Sequence, residues 1–272
     1  MTAHEIRLGW QKWKTAIRIQ IRIVTALIRR EMRVHFGESR LGYLWALVEP
    51  TIHLTAFLLV FTFLIRRNVS LGTSTALFLL TGIVPYFLYS KMASYVSGAV
   101  GANRALLQLP PVKPLDVVLA RGLLEAATYL FVGFLMFLAL YVGGISDAIP
   151  SDPLAVMEAC ALAICLGFGV GMINIVIVSF FHNWMSIYGI TSFPLWMFSG
   201  VWFLPEQVPQ PYRDYMLYNP LMHIIMCFRM GFYRDFKAVF FDGSYVTGVS
   251  ALALAMGLLV MQVARRKVLE PT

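Results

Sequence analysis

Apolar residues run along this chain in long blocks rather than in short alternations. Stretches of about 20 residues almost free of Asp, Glu, Lys and Arg recur, the length a helix needs to cross a hydrocarbon core about 30 Å thick. Trp45 to Ile65 is the first, broken only by Glu49. Ala76 to Gly98 follows with Lys91 towards its end, then Val118 to Gly143 with Arg121 and Glu125 in its first two turns. Ala159 to Pro205 carries no charge and is too long for one helix; it divides at Phe181-His182-Asn183-Trp184. Gly243 to Ala264 makes six. The expected spans are residues 45–65, 76–98, 118–143, 157–181, 185–204 and 244–264. Tyr215 to Phe228 is also charge-free, but its 14 residues suit a re-entrant or interfacial segment better than a crossing. Pro194, inside span five, points to irregular backbone, which at membrane depth survives only when buried in protein or facing water. Span five and residues 205–235 are therefore expected to form a partly re-entrant structure on one membrane face.

A different pattern precedes the first span. Ile6, Trp10, Trp13, Ile17, Ile21, Val24, Ile28 and Met32 recur at steps of three or four, the helical period. Arg7, Lys12, Lys14, Arg18, Arg22, Arg29 and Arg33 fill the positions between. A long basic helix with one apolar stripe and tryptophans lies along a membrane surface; packing on a partner subunit is the alternative. The expected fold class is all-α integral membrane: an amphipathic interfacial helix and junction over 1–44, then a six-span transmembrane domain over 45–272 with re-entrant segments between spans five and six.

Composition agrees. Hydrophobic residues make up 59% of the chain and charged residues 13%, against about 25% charged in an ordinary soluble domain. Aromatics at 14% exclude a disordered chain. The scarce charges also orient the molecule. Of 22 Lys and Arg, nine precede Leu41, and Arg265, Arg266 and Lys267 close the chain. Both ends are then cytoplasmic by the positive-inside rule, which requires an even number of crossings. The 99–117 loop, with Arg104 and Lys113, falls inside; the 144–153 loop, with Asp147 and Asp152, falls outside. Only Arg66 and Arg67 count against the scheme. The first apolar run begins about forty residues in, so the first span is expected to act as its own insertion signal, without a cleavable leader.

Candidate chemistry is sparse. Cys160, Cys165 and Cys227 have neither disulfide-framework nor zinc spacing, no P-loop is present, and His4-Glu5 lacks the second histidine of a zinc helix. Metal sites and catalytic residues are not expected. Basic character alone would admit nucleic acid, but attachment to six spans argues against it. Gly167 and Gly171 permit close helix approach, with intramolecular packing the ordinary use. Ionisable groups at membrane depth are functional candidates because burying them is expensive. Glu49 and His53, four apart on one face, are such a pair, with Arg40 as a further partner; a carboxylate reaching headgroup water is the alternative. Lys91 is expected to snorkel. Tyr43, Trp45, Tyr86, Phe87, Tyr89, Tyr95, Trp184, Trp196, Phe198, Trp202 and Phe203 cluster near span ends, where an aromatic belt is the ordinary reading. With a net charge of +8, a conduit lined by some of them would suit anionic sugars, rings packing on pyranose faces and cations meeting carboxylates.

The run Phe36-Gly37-Glu38-Ser39-Arg40-Leu41-Gly42-Tyr43-Leu44-Trp45-Ala46-Leu47-Val48-Glu49-Pro50 resembles the start of type-2 ABC-transporter permeases that export polysaccharides. Asn103-Arg104-Ala105-Leu106-Leu107, Pro114-Leu115, Phe198-Ser199-Gly200-Val201-Trp202-Phe203 and Tyr218-Asn219-Pro220-Leu221 are similar to that family too, so the likeness covers nearly the whole chain. Capsular polysaccharide exporters are the nearest group, O-antigen permeases the next. The resemblance implies a homodimer in a bacterial inner membrane, working with two copies of a cytosolic ATPase that binds ATP and Mg, so no cofactor belongs to this chain. It implies contact with that ATPase through residues 6–36 and about 102–116, singling out Asn103, Arg104, Leu106, Leu107 and Lys113. It also implies a path between the two copies lined partly by spans one and five, where Arg40, Tyr43, Trp45, Glu49, His53, Trp196 and Trp202 lie. Lipid-linked, acidic capsular polysaccharide is the expected cargo, with periplasmic and outer-membrane export components as further partners. The alternatives are O-antigen, teichoic acid or a small lipid or drug as cargo, a membrane-embedded transferase, and a secondary transporter. A transferase would concentrate acids or histidines at one face, and the five histidines are scattered; a secondary transporter would show repeated halves.

Overall fold

The computed structural model describes residues 18–33, 40–64, 71–72, 74–108, 112–264 and 267, with backbone alone at 40–47, 49, 61, 63 and 64. The expected stretch before residue 18 and the junction 34–39 lie outside the described residues. Every regular element among the described residues is helical. Residues 18–33 are helical and are called α1. After it come α2 (Arg40–Leu64), α3 (Thr75–Ser97), the one-turn helices α4 (Ala99–Ala102) and α5 (Arg104–Leu107), α6 (Pro114–Val142) and α7 (Pro153–Phe180). Then follow α8 (Trp184–Met197), α9 (Tyr212–Met216), α10 (Pro220–Phe232) and α11 (Gly243–Val263). Of these α3, α6, α7 and α11 are long and apolar enough to cross a membrane.

Local chemistry explains where the helices start. The Ser74 hydroxyl accepts the Leu77 N–H, Asp152 accepts those of Leu154 and Ala155, Asn219 that of Leu221, and Asp242 that of Tyr245. Each satisfies a backbone donor that the first helical turn leaves open, and Pro153 and Pro220 occupy the first helical position, where no N–H is needed. The expected break near 181–184 is present: α7 ends at Phe180 and α8 begins at Trp184. The Trp184 indole N–H donates to the Oδ1 of buried Asn174 at 2.8 Å, pinning this hairpin.

The fifth apolar stretch forms only 14 helical residues, Trp184–Met197. At 1.5 Å per residue they cover about 21 Å, short of a full crossing. The chain then turns at Gly200, whose φ of 81° lies in the left-handed region that glycine enters without strain. No residue of α8 is buried.

The centre is built on α3 and α7. Gly167 and Gly171 let α7 lie against α3: a Cβ at Gly167 would meet Met92 Cβ at 2.8 Å, and one at Gly171 would meet Val96 Cβ at 2.6 Å. This spacing therefore serves packing within the chain. Buried side chains form two tiers. One joins the N-terminal halves of α3 and α7 to α10, around Leu80, Ile83, Ile224 and Phe228. The other, at the opposite end of α3, joins Leu27 of α1 to Val96, Val117, Ile175 and Met261.

Candidate functional site

At the first-tier end, the chain after α8 folds back onto α3 and is held by α10. Arg229 of α10 is fully buried, at 0% exposure. Its guanidinium donates to the carbonyls of Gly200 (2.8 Å), Val201 (2.9 Å) and Phe203 (3.3 Å), reaches that of Phe78 at 3.5 Å, and lies 4.0 Å from the centre of the Phe78 ring. The planar fork of five donors suits this task. Gly82 of α3 makes the approach possible: a Cβ there would stand 2.9 Å from Val201 Cα and 3.1 Å from a guanidinium nitrogen. Asn219 joins two helix ends at once. Its Nδ2 donates to the carbonyl of Leu195 in the last turn of α8 (3.0 Å) and to that of Phe198 just beyond it (3.2 Å), while its Oδ1 caps α10. Buried His223 completes the knot, its Nε2 bonded to the Leu217 carbonyl at 2.8 Å and its Nδ1 accepting the Asp242 N–H at 3.1 Å.

Three of the expected path residues come together beside this knot. His53 of α2 stacks on Phe57 at 5.3 Å and meets Phe87 edge-on at 5.2 Å. Trp196 of α8 meets Phe57 at 6.0 Å, Phe193 at 5.8 Å and Trp202 at 4.9 Å. Tyr86 closes the group at 6.2 Å from Trp196. Rings from α2, α3, α8 and the following loop thus form one cluster, its edge-to-face pairs a favourable geometry for aromatic quadrupoles. The side chains of Arg40, Tyr43, Trp45 and Glu49 lie outside the described residues. Nearby, a groove of about 720 Å³ runs between α8 and α9, lined by Pro194, Leu195 and Phe198 on one side and by Tyr212, Tyr215 and Tyr218 on the other.

At the second-tier end, α1 docks on the connection between α3 and α6. Buried Asn103 is the centre of the polar contact: its Nδ2 donates to Glu31 at 2.5 Å and to the Ala99 carbonyl at 3.1 Å, and its Oδ1 accepts from Arg30 at 2.5 Å. Gln20 donates to Asp116, whose other oxygen accepts the Lys113 N–H at 2.9 Å and so opens α6. Leu106 and Leu107 are half-buried against the same apolar tier as Leu27, whereas Arg104 and Lys113 are exposed. The five residues expected to meet an ATPase therefore divide: Asn103 faces inward, two leucines pack, and two cations remain on the surface.

The sequence pattern does not mark Arg229, Gln20, Glu31 or Asp116, and Asn219 enters it only within the motif Tyr218-Asn219-Pro220-Leu221. Two of these five nonetheless left a signal. Asn-Pro ahead of an apolar run is a helix start, and an arginine closing a short apolar segment is an intramembrane charge. Among the described residues no three His, Cys, Asp or Glu side chains gather as a metal site would require.

The family model for the ABC-2 type transporter matches residues 22–233, from α1 through the end of α10. The chain belongs to the ABC-2 type transporter family. Among relatives of this ABC-2 member, the polysialic acid transport protein KpsM of Escherichia coli is 35% identical over 247 residues, covering 91% of this chain and 92% of the relative. The capsule polysaccharide export inner-membrane protein CtrC of Neisseria meningitidis serogroup A is 29% identical over 243 residues, 89% of this chain and 91% of its own. The corresponding protein BexB of Haemophilus influenzae is 29% identical over 259 residues, 95% and 97% of the two chains. The resemblance read from the 36–50 junction thus extends along an ABC-2 chain of nearly the same length as its relatives.

Proposed function

We propose that this chain is the membrane-spanning subunit of an ATP-driven exporter that moves a lipid-linked, acidic capsular polysaccharide across the bacterial cytoplasmic membrane. The observation that carries the reading is similarity over nine-tenths of both chains to a polysialic acid transport protein, alongside two capsule export proteins. The chain makes or breaks no covalent bond. ATP and Mg bind a separate cytosolic ATPase, two copies of which work with a permease homodimer, and export components of the periplasm and outer membrane receive the polymer.

In this reading the chain crosses six times. The helix α2 adds one crossing to the four long apolar ones, the short α8 together with the non-helical chain that follows it makes the sixth, both chain ends are cytoplasmic, and residues 205–235 re-enter from the outer face. The α1 end is then cytoplasmic and the Arg229 knot lies outside. Closure of the ATPases pushes on residues 102–116; because Asn103 ties that connection to Arg30 and Glu31, α1 moves with it. The polymer enters near residues 36–49, where Arg40, Tyr43, Trp45 and Glu49 lie, and passes the ring cluster of His53, Trp196 and Trp202. Uncharged ring faces are sequence-tolerant supports for pyranose rings, so a polymer slides without meeting a deep well. The test is genetic and direct. Cells lacking this chain should accumulate polymer inside, and the wild-type chain should restore export. Arg104→Glu with Leu106→Trp should restore membrane protein but little polymer at the surface. Unchanged export in that variant would remove the 102–116 connection from the mechanism.

A further inference from the structure

The two faces of α1 differ in what they meet. One face holds Leu27 and Glu31, 7% and 6% exposed, against the connection from α3 to α6. Arg18, Arg22, Arg29 and Arg33 stand on the other, all exposed. At 3.6 residues per turn these four fall within an arc of about 60° and extend along about 22 Å of axis. Thr25, also exposed, lies mid-row. Glu31 is the only acid between residues 18 and 33, and it points the opposite way. The row is bordered by hydrocarbon: Ile21, 60% exposed, with half-buried Ile28 and Met32 on one side, and Ile19, 52% exposed, on the other.

We infer that this arginine row binds the phosphate headgroups of anionic lipids in the leaflet next to α1. Guanidinium pairs with phosphate through two parallel hydrogen bonds, and a net-negative leaflet attracts each cation held near its surface. The aliphatic borders decide between a lipid surface and an acidic protein. A headgroup layer offers phosphate with hydrocarbon just beneath it, which accommodates arginines whose flanking isoleucines dip deeper. Position agrees with this. Only residues 34–39 separate the row from α2, so Arg33 and Arg40 lie at most about 25 Å apart even in fully extended chain.

The test uses the full-length chain in nanodiscs, with Cys160, Cys165 and Cys227 replaced by Ser and Thr25→Cys as the reporter. In discs containing phosphatidylglycerol, a membrane-impermeant maleimide should label Cys at position 25 about tenfold more slowly than in pure phosphatidylcholine. About 1 M salt should abolish the difference. Replacing all four arginines by Gln should abolish it too, and replacing them by Lys should retain it, which separates charge from helix integrity. Equal labelling in the two lipids overturns the inference. So does protection that appears only on adding the ATPase subunit, which would make the row a protein-docking surface. Lipid binding by the row does not depend on the cargo, so a negative result leaves the export reading intact.

Discussion

Arg229 is a charge whose partners are carbonyl oxygens and a ring rather than carboxylates. Its guanidinium supplies donors to three consecutive-loop carbonyls, Gly200, Val201 and Phe203, in a turn that has no helix to satisfy them. Arg229→Met keeps much of the volume and removes every donor. Each orphaned buried acceptor costs about 1–3 kcal/mol, partly offset by no longer burying a cation, so the net loss should be on the order of 3 kcal/mol. Thermal unfolding of the purified protein in detergent checks this, and Arg229→Lys, with three donors on a narrower head, should recover part of it. An unchanged melting point for the Met variant would mean that the turn holds itself. Gly82 makes the complementary prediction. Adding one methyl as Gly82→Ala pushes on Val201 and the guanidinium together, at an overpacking cost of about 1–3 kcal/mol.

Among the elements, the union of α1 with the connection after α3 has the clearest consequence. Asn103→Leu removes the donor to Glu31 and the acceptor for Arg30 in one step. Protein should still reach the membrane. In the proposed exporter, polymer delivered per unit of membrane protein should fall on the order of tenfold, as the loss of about 1.4 kcal/mol of coupling implies. A fall matched by the fall in protein level would instead make Asn103 merely structural. How much of this was legible follows from the range of each signal. Long apolar blocks announced α3, α6, α7 and α11, and Phe181–Asn183 was readable as a break because the charge-free run exceeded any single crossing. The amphipathic period announced α1, yet not its inner face. The expected stripe contained Ile21, which is exposed, while Leu27, outside that stripe, is the buried anchor. Pairs such as Gln20 with Asp116, 96 positions apart, leave no local pattern at all. The aromatic cluster was half visible: span ends rich in rings are common, and only the fold brings His53, Trp196 and Trp202 into one group.

At the scale of the whole molecule, α8 presents apolar groups away from the chain's own core. Ile187, Ile190 and Phe193 are all exposed, as a helix between two copies would be in the proposed dimer. A single cysteine, Ile190→Cys on a background free of the three native ones, should give a copper-catalysed crosslinked dimer in native membranes, seen on a non-reducing gel. Absence of that product, with a dimer still present by native mass spectrometry, would move the interface to another helix. The docking of α1 also has a timetable written into chain order. Its partner Asn103 lies 73 positions after Arg30, so at roughly 5–20 residues per second synthesis leaves α1 without its seat for about 4 to 15 s. Through that interval Leu27 and Glu31 have nothing of their own chain to cover them. The helix must be parked where both an apolar group and a row of cations are tolerated, and a membrane surface is such a place. A chain released before Asn103 is made would keep α1 parked there, leaving Leu27 open to whatever quality-control factor patrols the membrane.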